Sequence, residues 1–170
     1  MRSVSSASMT CLAKGPEFHL PSQNPKWNGR EKERNAEGGP EVTAAVVAGD
    51  TALILRCKDQ NTEAAFSTKY NYLGSISVNM LVRINDQEPT KEVWSASTNG
   101  RAAFAPDAIA FISALPDNAK LVIRTTRSDG KTKEGIFQTG ALAGIKDKIA
   151  RACNWPDPEP IGSTAHSERP

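Results

Sequence analysis

The stretch Thr51 to Cys57, T-A-L-I-L-R-C, constrains this chain more than any other. Read as a β-strand, its side chains alternate, so Leu53, Leu55 and Cys57 share one face while Ala52, Ile54 and Arg56 share the other. The first thiol therefore falls on a buried side. Far along the chain, the segment from Ala141 to Cys153 sets Leu142, Ile145, Ile149 and Cys153 near one face of a helix, with Lys146, Lys148 and Arg151 on its flanks. A second thiol thus points inward. Of the three cysteines, only Cys57 and Cys153 join buried faces of expected core elements, because Cys11 lies in a polar N-terminal stretch. A bridge between them would close a loop of roughly 100 residues, worth about 4–5 kcal/mol on the chain-entropy model. Two buried thiols in a reduced cytosolic protein are the alternative. Neither cysteine has a C-x-x-C neighbour or a His pair, so zinc is not expected; no metal ligand and no cofactor are assigned.

Around this pair the chain divides into an arm, a β-rich domain and a tail. Residues 1–41 carry Gly-Pro, Asn-Pro and Gly-Gly-Pro punctuation with no sustained period, and they read as a flexible arm with Trp27 as a single apolar anchor. The charged run Arg30 to Arg34 reads as a solvated loop or a short helical turn. Residues 42–155 form the expected domain. Gly49-Asp50 joins two extended runs as a hairpin, and Lys58 to Asn61 makes the next turn before a strand over Thr62 to Thr68. Val78, Met80, Val82 and Ile84 alternate with Ser77, Asn79, Leu81 and Arg83, as a half-buried strand requires. Glu92 to Ser97 contains Trp94, and Asn99-Gly100 turns the chain back through Ala102 to Phe104. Pro106-Asp107-Ala108 starts a helix with a stripe of Ala108, Phe111, Ile112 and Leu115, ended by Pro116-Asp117. Asp129-Gly130 joins two more strands, Leu121 to Thr126 and Thr132 to Gln138. The tail over 156–170 opens with Pro156, Pro158 and Pro160 and is expected to be disordered. The expected class is α+β: mainly antiparallel strands in a sandwich or half-open barrel, with two packed helices.

Composition narrows the function. A mean hydropathy of −0.46 and 38% hydrophobic residues fit a normal middle diluted by polar ends. A net charge of +2, with no long basic run, argues against a nucleic-acid surface. No run of roughly 18 apolar residues offers a membrane span. The start, Met1-Arg2 and small polar residues, lacks the ~7–15 residue apolar core of an export signal. The chain is then either cytosolic or given without its signal, and the cysteine pair favours the second.

Active-site chemistry is sparse. His19 and His166 fall in the arm and tail, which leaves the middle without an imidazole base and removes the usual triads. Asp50, Asp59, Asp86, Asp117 and Asp129 stand at turns, where capping and solvation account for them; a carboxylate pair of the glycosidase kind stays open. No catalytic residue is assigned. The candidate binding surface is Arg83, Trp94 and Arg124 on neighbouring strands, an aromatic ring between two guanidinium groups; Trp94 as a core filler beside two solvated arginines is the competing account.

Taken together, Trp27, L-I-L-R-C at 53–57, V-R-I-N-D at 82–86, V-W-S-A-S-T-N-G with A-F-A-P between 93 and 106, F-Q-T-G-A-L at 137–142 and I-A-R-A-C-N-W at 149–155 form a pattern. It resembles the VasI/TagO family of type VI secretion-associated proteins and related exported proteobacterial proteins. The resemblance implies a periplasmic accessory domain whose two cysteines are bridged, with no established enzymatic activity. The family-like positions are Cys57, Arg83, Asp86, Trp94, Gly100, Phe104, Cys153 and Trp155. The chain departs from the family in lacking a visible export signal and in its Asn85-Asp86 spacing. The expectation is a non-enzymatic periplasmic or secreted protein that binds another protein of the envelope or secretion apparatus. A small cell-envelope hydrolase using carboxylates is the second expectation, to be separated from the first by alanine at Asp86 and Glu88, and an inhibitor or immunity-like binding protein is the third.

Overall fold

Strand alternation is the organising pattern of the structure, a computed structural model that describes residues 27–32, 40–127 and 129–156. Strand β3 (Thr51–Lys58) buries every second residue, Thr51, Leu53, Leu55 and Cys57, while its intervening side chains are half-exposed. It pairs antiparallel with β2 (Glu41–Ala48) on one side and β4 (Asn61–Thr68) on the other. The β2–β3 turn has Gly49 at φ 61°, as its hairpin signal anticipates. The β3–β4 turn places two non-glycines, Asp59 and Gln60, at φ 50° and 59°. Both central residues there are left-handed, the combination that matches the twist of the flanking strands.

Strands β5 (Ser77–Ile84), β6 (Thr90–Ala96) and β7 (Ala102–Phe104) form a meander that returns to β4, and β8 (Lys120–Thr126) and β9 (Thr132–Gln138) add to the far side of β5. With β1 (Asn28–Lys32) on the outer edge of β2, the described strands make one antiparallel sheet in the order β1-β2-β3-β4-β7-β6-β5-β8-β9. The sheet curls until β9 meets β3 and β4. The Phe137 ring stands edge-on to Phe66 at 6.2 Å, and a Cβ on Gly135 would lie 2.6 Å from the Phe137 ring and 2.8 Å from Thr51 Oγ1, so the glycine leaves room for both side chains. Among the described residues the fold is α+β, a curled, half-open antiparallel sheet with two helices.

Helix α1 (Ala108–Ala114) is capped by Asp107, whose Oδ1 accepts the Ala110 N–H at 2.9 Å. Pro106 therefore precedes the cap rather than filling the first helical turn. Helix α2 (Leu142–Ala152) has no cap from its own N-terminal residue, Ala141; instead Asp117 reaches across and accepts the Leu142 N–H at 2.6 Å. Lys146 on α2 donates to the carbonyls of Ser113, at 3.0 Å, and Leu115 at the end of α1. Those carbonyls have no intrahelical partner, and a cation satisfies them well. Burial holds the Lys146 amine below its ordinary value of 10.5, opposed by the nearby Asp117. Lys146 of α2 thus secures the end of α1, and Asp117, in the loop after α1, secures the start of α2.

Two expectations are corrected here. Asn28–Lys32, assigned above to the flexible arm, pairs with Glu41 to Ala45 as β1, so the ordered domain begins before residue 42. The charged segment Arg30 to Lys32 is likewise strand, not loop or helical turn. An edge strand pairs on one side only, so it needs no apolar period to form. Trp27 is half-buried, and its Nε1 donates to the Gly140 carbonyl at 2.9 Å, tying this strand to the start of α2. The expected disordered tail lies, beyond Pro156, outside the described residues.

Closure of the curled sheet depends partly on charge. Asp50, in the β2–β3 turn, pairs with Lys133 of β9 and accepts a hydrogen bond from Asn71 at 3.0 Å. The Lys133 hydrogen bond is the largest influence holding its carboxyl below the ordinary 3.8. A depressed folded-state value means the contribution is present above the ordinary carboxylate range and lost as pH falls through the lower one. Asp50→Asn is expected to lower the thermal midpoint slightly at pH 7, with the gap to wild type closing under acid. A gap that widens on acidification would contradict the pair's role.

Candidate functional site

The disulfide is the covalent centre of the structure. Cys57 at the end of β3 and Cys153 just past α2 are bonded, with an S–S distance of 2.01 Å and Cα atoms 5.6 Å apart. Cys57 is fully buried and Cys153 nearly so. Beside the bridge, Trp155 donates its Nε1 hydrogen to Thr62 Oγ1 at 2.7 Å, fastening the end of the domain onto β4.

Arg83, Trp94 and Arg124 do not form one surface. On β5 and β8 the inward positions are Val78, Met80 and Val82, and Leu121, Ile123 and Thr125, so Arg83 and Arg124 point outward. Trp94 is opposite Val78 in register and points inward, with 0% of its surface exposed. The candidate triad is therefore split across the sheet. Arg124 is paired with Glu134 directly across on β9, its Nε 2.6 Å from the carboxylate. Asp86 is exposed in the β5–β6 turn. Gly100 sits at φ 66°, and a Cβ there would fall 2.6 Å from the Gly74 carbonyl oxygen, so the tight turn explains this family-like position.

What the fold does assemble is a cleft of about 380 Å³ between the β5–β6 hairpin and α1. Its apolar floor comes from Val82 and Ile84 on β5 and from Ala110, Phe111 and Ala114 on α1. Glu88, Glu92 and Asp107 supply carboxylates to its walls, and no Lys or Arg lines it. Such a volume suits a small ligand or one or two side chains of a partner.

The walls are positioned by the core behind them. The Trp94 ring meets Phe111 edge-on, with centroids 5.3 Å apart and planes at 86°. Its Nε1 donates to Glu92 Oε2 at 2.7 Å, and the Thr90 hydroxyl shares its one proton between Glu92 Oε1 and the Val82 carbonyl, each at 3.3 Å. Glu92 is thus a half-buried carboxylate held by two neutral donors, and Asp107 is engaged as the α1 cap. Glu88, exposed, was named with Asp86 at the sequence level; the structure brings Glu88 to the cleft and leaves Asp86 outside its lining. Glu92 went unrecognised there. The available signal was its spacing: two residues before Trp94, it had to share that ring's face.

The cleft also runs along an open strand edge. In an antiparallel strand the N–H and C=O of one residue point to the same side, and successive residues alternate. Ala96 N–H reaches Ile76 on the β5 side, while Ser97 N–H reaches Ala102 on the β7 side. Lys91 and Val93 therefore direct their backbone groups away from β5. Strand β7 pairs only with Ser95 and Ala96 before Pro106 diverts the chain into α1. Among the described residues, no strand lies beside Lys91 and Val93 on that side.

No group of three or more His, Cys, Asp or Glu among the described residues is arranged to hold a metal. No helix among them is long and apolar enough to cross a membrane. Comparison with protein-family models, with curated proteins and with solved structures finds no significant match.

Proposed function

We propose that this is a non-enzymatic binding module of an oxidising compartment, periplasmic or secreted, which engages another protein of the bacterial envelope or secretion apparatus through the cleft between β6 and α1. The observation that carries it is the cleft: an apolar floor with a one-signed acidic wall, backed by a rigid aromatic pair. The disulfide supports the compartment, since structural bridges persist outside the reducing cytosol. Kinship with the VasI/TagO type VI secretion-associated proteins belongs to the same proposal and is supported by the motifs between Trp27 and Trp155. An inhibitor or immunity-like role uses the same kind of surface, with a different partner.

A photo-cross-linking amino acid at exposed Gln87, on the cleft, is expected to give discrete adducts with one partner in the native host. The same group at exposed Lys131, in the β8–β9 turn, serves as control. Equal yields from both sites would overturn the assignment of the cleft.

A second reading, carboxylate hydrolysis of a cell-envelope polymer, draws on Glu88 and Glu92 lining one cleft. It ranks second because Glu92 already accepts two hydrogen bonds and Asp107 already caps α1. Cell-wall turnover that is lost in both Glu88→Gln and Glu92→Gln, with folding intact, would reverse that order.

A further inference from the structure

We infer that the cleft takes an extended peptide of the partner as an added β-strand, antiparallel to β6, with a Lys or Arg side chain entering the cleft. This deepens the proposed function and rests on its assignment of the cleft. The backbone groups of Lys91 and Val93 continue the ladder that β7 begins at Ser95 and then abandons. A strand laid there would follow the line of β7 past the point where Pro106 turns the chain away. Main-chain pairing at such an edge supplies affinity, and the alternating side chains of the guest supply specificity.

The register states which guest side chain matters. Residues opposite Lys91 and Val93 would exchange hydrogen bonds with them and point to the outer face of the sheet, where Val93 is 59% exposed. The residue opposite Glu92 would point with Glu92 into the cleft. There it meets apolar walls at Val82 and Phe111, with carboxylates at Glu88, Glu92 and Asp107. A long aliphatic stem ending in a cation satisfies both: the stem covers the apolar wall and the head reaches the acids. An acidic side chain at that position would face like charge and be rejected.

Backbone pairing and charge are separable by experiment. The probe is the pentapeptide acetyl-TVKVT-amide, titrated into 15N-labelled oxidised protein. Binding is expected to move the Lys91 and Val93 amide resonances and to slow their hydrogen exchange. Acetyl-TVEVT-amide is expected to bind at least tenfold more weakly. Val93→Pro deletes one N–H on the open side and none in the β5 ladder, and proline is tolerated on an edge. It should weaken the lysine peptide at least tenfold while β5–β6 amide protection persists. Should that variant fold poorly, Glu88→Lys, at an exposed position, is expected to weaken the lysine peptide severalfold and to narrow its advantage over the glutamate peptide. No binding of the lysine peptide, equal binding of both peptides, or full binding by folded Val93→Pro would overturn strand addition. Adducts from Gln87 that persist in Val93→Pro would leave the cleft as the binding site while removing this mode of binding. Equal adducts from Gln87 and Lys131 would remove the cleft itself.

Discussion

Reducing the Cys57–Cys153 bond is expected to destabilise the protein by about 4–5 kcal/mol. The bridge spans 96 residues and joins β3 to the end of α2, so the unfolded chain it restrains is most of the described domain. A domain's net stability is only ~5–15 kcal/mol, which makes this a major fraction. Urea unfolding followed by circular dichroism, with and without reductant, measures it directly. At a slope of about 2 kcal/mol per molar urea, the midpoint should fall by roughly 2 M. The slope itself should rise, because an open chain exposes more surface than a looped one. Reduced wild type is the cleaner comparison, since Cys57→Ala with Cys153→Ala also removes two packed sulfur atoms. Protein isolated from its host should carry two fewer hydrogens before reduction than after it, with the difference mapped to residues 57 and 153. A midpoint unmoved by reductant would remove the bridge as a stabilising element and with it the support for an oxidising compartment.

Trp94→Ala is expected to cost about 3–5 kcal/mol, the range for truncating a fully buried tryptophan. Two losses combine. The indole fills the space between β6 and α1 against Phe111, and its N–H is the shorter of the two hydrogen bonds to Glu92. Removing it opens a cavity behind the cleft and leaves a half-buried carboxylate with one donor fewer. Trp94→Phe keeps an aromatic ring against Phe111 but removes the N–H together with the second ring of the indole, so a smaller loss of about 1–3 kcal/mol is expected there. Fluorescence from Trp27 and Trp155 remains available in both variants to follow unfolding in urea. A loss below about 1 kcal/mol for Trp94→Ala would place the ring outside the core and return it to the surface grouping with Arg83 and Arg124.

Trp94 also shows where sequence patterning stops. Alternation correctly puts Trp94 on the face of Glu92 and opposite Val93, because side-chain direction in a strand is local geometry. Which face is inward is not local. It follows from the pairing of Trp94 with Val78, whose own alternation with Met80 and Val82 was plain. The same distinction explains β1. Its polar, glycine-containing sequence has no period to read, and it becomes a strand because β2 offers a free edge. Asp117 likewise looked like a turn residue closing α1, and the fold employs it to cap α2, 25 residues later in the chain.

The cleft was beyond sequence reading for a related reason. It exists because β7 is only three residues long and because α1 then packs beside an edge that β7 leaves uncovered. Neither the shortness of the pairing nor the position of the helix is written in any one segment.

Read alone, the residues established the alternating strands β3 and β5, the glycine-bearing hairpin turns, the amphipathic face of α2 and the inward direction of both bridged thiols. All of these follow from backbone dihedrals and side-chain periods that span a few residues. Strand order, the inward placement of Trp94, the cross-chain helix caps and the open edge of β6 came from the assembled fold. Each depends on pairings between distant segments, and these are set by which arrangement buries the most apolar surface while leaving the fewest backbone groups unpaired.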